Sequence, residues 1–254
     1  MFTIIHRMSP SLEPPSALTF FGDASSRDDT YMVAGGFAVA GHRIEEIDDH
    51  IASLRDEARI SREFHCSDYR GGQRQDAYHR LINFGYSLVR QKHAALHVIV
   101  RDFKAFDHKA KPGENKDTSS NKMYWQLCVH RLGRFYGRKR AIHVRLDAGN
   151  DSQDICQMRN QVCAETYRRW QTRPNCIRSI EAMDSARSGI LQMADVMVGG
   201  IASNVNGRSK ASAKGQLADY ILRKSGLSSW QQSTTMDARW LTVWHHRDGG
   251  PPTA

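Results

Sequence analysis

Residues 17–40 read ALTFFGDASSRDDTYMVAGGFAVA. Two apolar, β-prone runs, 17–25 and 31–40, flank the short polar link SRDDT. Aromatic and β-branched residues suit a pleated, half-buried surface, and so short a link predicts a hairpin of adjacent strands. The pattern then changes. Ile44, Ile47, Ile51, Leu54 and Ala58 recur at helical spacing behind an acidic first turn, which predicts an amphipathic helix over 44–58. A second helical stripe runs through Ala77, Leu81, Phe84 and Leu88 within 73–92, followed by the strand-like AALHVIVRD at 94–102. Beyond a polar, Lys-rich loop at 104–122, a helix is expected over 123–138 and a strand over 141–147, where Ile142, Val144 and Leu146 alternate. A polar helix at 151–171, a last strand at 176–184 and helices at 189–201 and 211–224 complete the series.

A hairpin followed by helices alternating with single strands predicts an α/β fold with a mixed sheet. No linker or repeat interrupts 17–224, so one domain is expected there. Residues 1–16, rich in Pro and Ser, read as a loose leader, and 225–254 as a C-terminal extension. The chain has 254 residues, of which 40% are hydrophobic, enough for a sizeable core. It has no apolar run long enough to cross a membrane and no apolar segment of a secretory signal near residue 1, so a cytoplasmic location is expected. Five cysteines, an odd number without a C-x-x-C pair, suit reduced thiols. With 36 Lys plus Arg against 27 Asp plus Glu, the net charge is +9. That balance points to a polyanionic partner, nucleic acid first, or else to an ordinary basic surface.

Residues 189–200, GILQMADVMVGG, pose the chemical question. The helix is apolar nearly all round, yet it carries Asp195. An ionised carboxylate in such a place needs a cationic side chain, a set of donors or a metal ion. Two further aspartates close strands: Asp23 in GDAS and Asp147 in VRLDAGN. Sites in α/β sheets form beyond the carboxyl ends of strands, although an Asp in that position also serves as a turn or cap residue. In REFHCSDY, Glu63 and His65 alternate around Phe64 and would share one side of an extended segment. Phosphodiester hydrolysis needs an activated water and a stabilised leaving oxygen, which two Mg²⁺ or Mn²⁺ ions roughly 3.5–4 Å apart supply. Such hard cations take carboxylate oxygens.

In order along the chain, GDAS, EFHCSD, VRLDAG and SARSGILQMADVMVG resemble the bacterial and phage family known as domain of unknown function 3800. The resemblance spans roughly 17–205, and LQMADVMVGG is its most specific piece. It implies a ribonuclease H-like fold and a two-metal site of Mg²⁺ or Mn²⁺. Asp23 would bridge both ions, Glu63 and Asp195 would complete their coordination, Asp147 would hold one, and His65 would orient water or release product. The family opens with Asp-Glu-Ser-Gly, and here Ala24 stands where its second acid would be. Asp184 is read as a helix cap or an outer ligand.

YGRKRA (136–141), YRRWQTR (167–173), the Lys-rich loop and RSKASAK (208–214) would contact phosphates and bases, or else be solvated helix ends and loops. No P-loop occurs. The first functional reading is therefore a metal-dependent nuclease acting on RNA, DNA or a hybrid. The alternative is a non-catalytic nucleic-acid-binding or adaptor protein on the same fold, and a third is a hydrolase of small phosphoesters.

Overall fold

The computed structural model describes residues 17–109, 115–149 and 158–246. The leader, Lys111 of the Lys-rich loop, the first residues of the helix expected at 151–171 and the terminal GGPPTA lie outside them.

The hairpin forms as read, from β1 (Leu18–Ser25) and β2 (Tyr31–Ala40), antiparallel with Asp23 opposite Gly35. Gly36 is required there: a Cβ on it would lie 1.9 Å from the Phe21 carbonyl oxygen. Helices α1 (Ile44–Glu57) and α2 (Gln75–Arg90) follow, then β3 (Ala94–Asp102), antiparallel to β2. Helix α3 (Lys116–Leu127) runs through a π-helical turn, Cys128–Gly133, into the short α4 (Arg134–Tyr136). Strand β4 (Ile142–Asp147) pairs parallel to β1. After α5 (Arg159–Trp170), β5 (Ile177–Met183) pairs parallel to β4. Helices α6 (Gly189–Val205) and α7 (Ala213–Ser225) complete the helical set, and β6 (Leu241–His246) ends the described chain.

The result is one α/β domain: a mixed six-stranded sheet in the order β5-β4-β1-β2-β3-β6, flanked by helices. The expectations differ from it at two places. Strand β6 falls in the segment set apart as an extension, yet it pairs parallel to β3, with Trp244 and Val243 buried on its two sides. An edge strand of six residues ending in two histidines carries too short an alternation to stand out, and its pairing with β3 brings it into the sheet. The Lys-rich loop also gives way early to α3, whose N-terminus the Asn115 side chain caps by accepting from the Thr118 amide.

Alternation along the strands sorts side chains into two cores. Phe21, Val33, Phe37, Leu96 and Val98 pack under α1, α2, α6 and α7. Phe20, Met32, Ala34, Val144 and Leu146 pack on the other face, under α3, the π-helical turn and α5. Helix α6 is buried along nearly its whole length and lies across β1 and β2. Its start is held by the Ser188 side chain, which accepts from the Leu191 amide, and by Asp48 of α1, which accepts from the Ile190 amide at 2.9 Å.

Candidate functional site

The site is built on the α6 face of the sheet. Asp23 follows Phe21 by two residues, so it points to the same side, toward α6. On β4 the buried Ile142, Val144 and Leu146 face the other core, which leaves Arg145 and Asp147 on the α6 side. Arg145 lies over the Phe21 ring, 5.7 Å from its centroid, in keeping with this placement. Since Gly22 of β1 pairs with Leu146 of β4, the next residues, Asp23 and Asp147, stand at neighbouring ends of two parallel strands. Ala24 points the opposite way and packs against the second core. A carboxylate at position 24 would therefore lie on the other side of the sheet from Asp23.

Asp195 meets them from above. The Asp23 and Asp195 side chains are hydrogen-bonded to each other, and the charge of Asp147 acts on both. Asp23 is buried at 8% exposure, and its proton affinity is raised well above the ordinary carboxylate range. Burial is the main cause, followed by the negative charge of Asp195. Asp195 is raised too, first by burial, while His65, the Cys66 amide and the bond from Asp23 pull it down. Of the two, Asp23 therefore holds a proton more strongly and is the donor in the bond to Asp195. No Arg or Lys stands among the groups acting most strongly on either carboxyl. Among the described residues, no three His, Cys, Asp or Glu side chains form a ready metal-binding group.

One face of α6 holds the 63–66 segment in place. Gln192 accepts from the Phe64 amide at 3.1 Å and donates to the Ser185 carbonyl. Three residues on, Asp195 accepts from the Cys66 amide at 2.5 Å. Four further, Gly199 leaves room for Cys66: a Cβ there would meet the Cys66 Sγ at 2.5 Å. The Tyr78 hydroxyl of α2 donates to the His65 carbonyl at 2.9 Å and packs edge-on against Phe64. His65 Nδ1 accepts from the Ser67 amide, so the proton of the neutral ring sits on Nε2, which faces Asp195 Oδ1 at 4.0 Å. Glu63 is on the same segment. Its Oε2 is buried with no hydrogen-bond partner among the described residues, and no hydrogen bond joins it to the aspartates. Gln192, Tyr78 and Asp48 were missed from sequence; only Gln192 carried a signal, standing one helical turn before Asp195.

The other sequence candidates separate. Asp184 caps the turn at 185–187 by accepting from the Ala186 amide. Arg168 and Arg169 pair with Glu165 on their own helix, and Lys116 pairs with Asp28. Arg138 donates to the Trp170 carbonyl. In 208–214, Lys210 pairs with Asp219 and Arg208 with Asp29, whereas the charge of Lys214 reaches Cys66, beside Asp195. The Cys66 thiol itself is pushed up to about 12 by burial and by Asp195, so it is no thiolate nucleophile paired with His65. Among the described residues, no helix is long and apolar enough to cross a membrane.

No protein-family model matches the chain, and no curated protein matches it in sequence. Among solved structures, it is similar to a chain of the PCNA:RNase HII complex from Archaeoglobus fulgidus, with a TM-score of 0.36 and 9% identity over 82% of this chain and 87% of that one.

Proposed function

We propose that this chain is a nuclease that hydrolyses phosphodiester bonds with Mg²⁺ or Mn²⁺ held by Asp23, Asp147, Asp195 and Glu63, and that it belongs with the domain of unknown function 3800 family. One observation carries the reading. The Asp23 and Asp195 carboxyls are hydrogen-bonded to each other, the charge of Asp147 acts on both, and among the groups acting most strongly on the pair there is no Arg or Lys, only His65 beside Asp195. A structural ion pair would supply an Arg or Lys; here a shared proton stands in for one.

The donor chemistry fits a hard divalent cation: carboxylate oxygens, one of them the partnerless Glu63 Oε2. Such ions, when bound, activate a water and stabilise the leaving oxygen. The chain's own part begins with Asp23, which must release the proton it holds toward Asp195 before both carboxylates can ligate. Gln192 and the Cys66 amide fix the segment carrying Glu63 and His65 against α6. His65 presents its Nε2 proton toward Asp195 and can orient a water there. Lys214 brings positive charge to the same side for the phosphates of a strand. Because Ala24 packs on the opposite core, its departure from the family pattern leaves this carboxylate group intact.

The test is a cleavage assay. Wild type and Asp195→Asn are incubated with labelled single-stranded RNA, duplex DNA and an RNA–DNA hybrid, each with Mg²⁺, Mn²⁺ or EDTA. Metal-dependent cutting that Asp195→Asn loses by a hundredfold or more is expected. Equal nucleic-acid binding by both proteins, with no cutting by either, would instead make this a non-catalytic binding protein.

A further inference from the structure

The far end of the sheet holds a cavity unlike the acidic site. Its volume is about 180 Å³. Three cations, Lys92, Arg140 and Arg239, and three aromatic side chains, Phe135, Tyr136 and Trp240, line it, and no Asp or Glu does. Leu18, at the start of β1, also lines it. Asp23 lies five residues along the same strand and on the opposite face, so the two sites are separated by about 17 Å of strand and by the sheet itself.

Two features set this cavity apart from an ordinary basic surface. Elsewhere the arginines and lysines are mostly spent on the protein's own groups, as at Arg168, Arg169, Lys116 and Arg138. Among the described residues, Lys92, Arg140 and Arg239 make no such ion pair, although the charges of Arg140 and Arg239 both act on the Tyr136 hydroxyl. Like charges gathered around one point repel each other unless an anion sits between them. The second feature is Trp240. Among the described residues only Tyr167 and Trp240 are large apolar side chains left exposed, and Trp240 stands on this rim. An exposed indole beside unneutralised guanidinium groups pairs a stacking surface with phosphate donors. Tyr136 is held rigid by its hydrogen bond with His97 Nε2 at 2.9 Å. Arg140 comes from the YGRKRA stretch, whose basic and aromatic character the acidic site does not use.

We propose that this cavity is a second binding site, for a nucleoside phosphate, with the phosphate against Arg140, Arg239 and Lys92 and the base on Trp240. The cavity is small enough to hold the phosphate, and the base lies over the exposed Trp240 at its rim. The phosphate belongs either to a free nucleotide or to the 5′ end of a strand; both present the same chemistry. The proposal stands independently of the nuclease reading, because it uses none of the acidic residues.

The test is calorimetric titration of the full chain, free of divalent metal, with AMP and with inorganic phosphate. AMP should bind at least tenfold more tightly than phosphate, because stacking adds to the charge contacts. The double variant Arg140→Gln/Arg239→Gln should weaken AMP at least tenfold, and Trp240→Leu should erase the preference for AMP over phosphate. Both variants should melt within about 2 °C of wild type, because the three side chains sit on a rim and not in the core. Asp195→Asn should bind AMP as wild type does. A 5′-phosphorylated oligothymidylate that displaces AMP at similar affinity identifies a strand end as the ligand; failure to displace identifies the free nucleotide. Absence of saturable AMP binding, equal binding of AMP and phosphate, AMP binding unchanged in the double variant, or AMP binding lost in Asp195→Asn would each overturn the proposal.

Discussion

Asp23→Asn should stabilise the metal-free protein and remove its response to metal. In the wild type the Asp23 carboxyl is buried, and burial together with the charges of Asp195 and Asp147 disfavours its ionised form, so it holds a proton more strongly than a free carboxyl and bonds through it to Asp195. An asparagine amide has nearly the same shape, donates the same hydrogen bond and carries no charge. Relief of that contact is worth about 1–2 kcal/mol, the scale of single stabilising substitutions at strained functional sites. For a chain of this size that is a rise in Tm of about 2–8 °C. The pH dependence has a definite sign. A carboxyl whose folded pKa is raised binds more protons when folded, so its contribution to stability falls as pH rises above the unfolded value of about 4. The advantage of the variant in EDTA should therefore grow from pH 4 to pH 8. Metal reverses the order. At a concentration 100 times its Kd, Mg²⁺ or Mn²⁺ would add about 2.7 kcal/mol to the wild type, or about 5–10 °C, and nothing to Asp23→Asn. Thermal melts of both proteins, in EDTA and in saturating metal, read all four quantities. A variant less stable than wild type in EDTA at pH 7, or one that keeps the metal increment, would refute the account of a proton standing in for a cation.

Two further predictions concern the framework. His97 is fully buried between Thr242 and Tyr136, and burial lowers its pKa to about 3. The folded state therefore refuses a proton that the unfolded chain accepts below about 6.5, so stability is complete above that pH and is lost as pH falls toward 3. At pH 4.5 the loss from His97 amounts to about 2.7 kcal/mol, and urea titrations should show His97→Gln with a shallower acid slope than wild type. Gly199→Ala would drive a methyl group into Cys66 Sγ and Cβ, at 2.5 and 2.7 Å. It should cost about 1–3 kcal/mol and loosen the 63–66 segment, read as faster proteolysis there and weaker metal response, with unchanged AMP binding at the far cavity.

Much of the element order was legible because it rests on local periods. Continuous apolar runs in 18–25 and 31–40, alternation in 142–147, and helical stripes in 44–57, 75–90 and 189–205 mark elements that each bury one face or both. The π-helical turn at 128–133 and the edge strand β6 were not legible. The first arises where α5 packs against Gly133, with Thr166 closest to it, and the second gains its place only by pairing with β3. Neither condition is written in a local period.

The candidate site divides in the same way. By itself the sequence determined that Asp195 sits in an apolar helix and that Asp23 and Asp147 end strands, because side-chain type and spacing are local properties. Only the tertiary structure decided which of these carboxylates meet. The parallel pairing of β1 with β4 sets Asp23 beside Asp147, and α6 lies on the face they share. The same packing turns Ala24 away and leaves Glu63 Oε2 buried without a hydrogen-bond partner among the described residues. The far cavity draws its walls from the start of β1, the end of β2, the turn before β3, α4 and its exit, and the approach to β6. Residues so distant in sequence share no pattern along the chain; folding the sheet is what brings their charges and rings to one place.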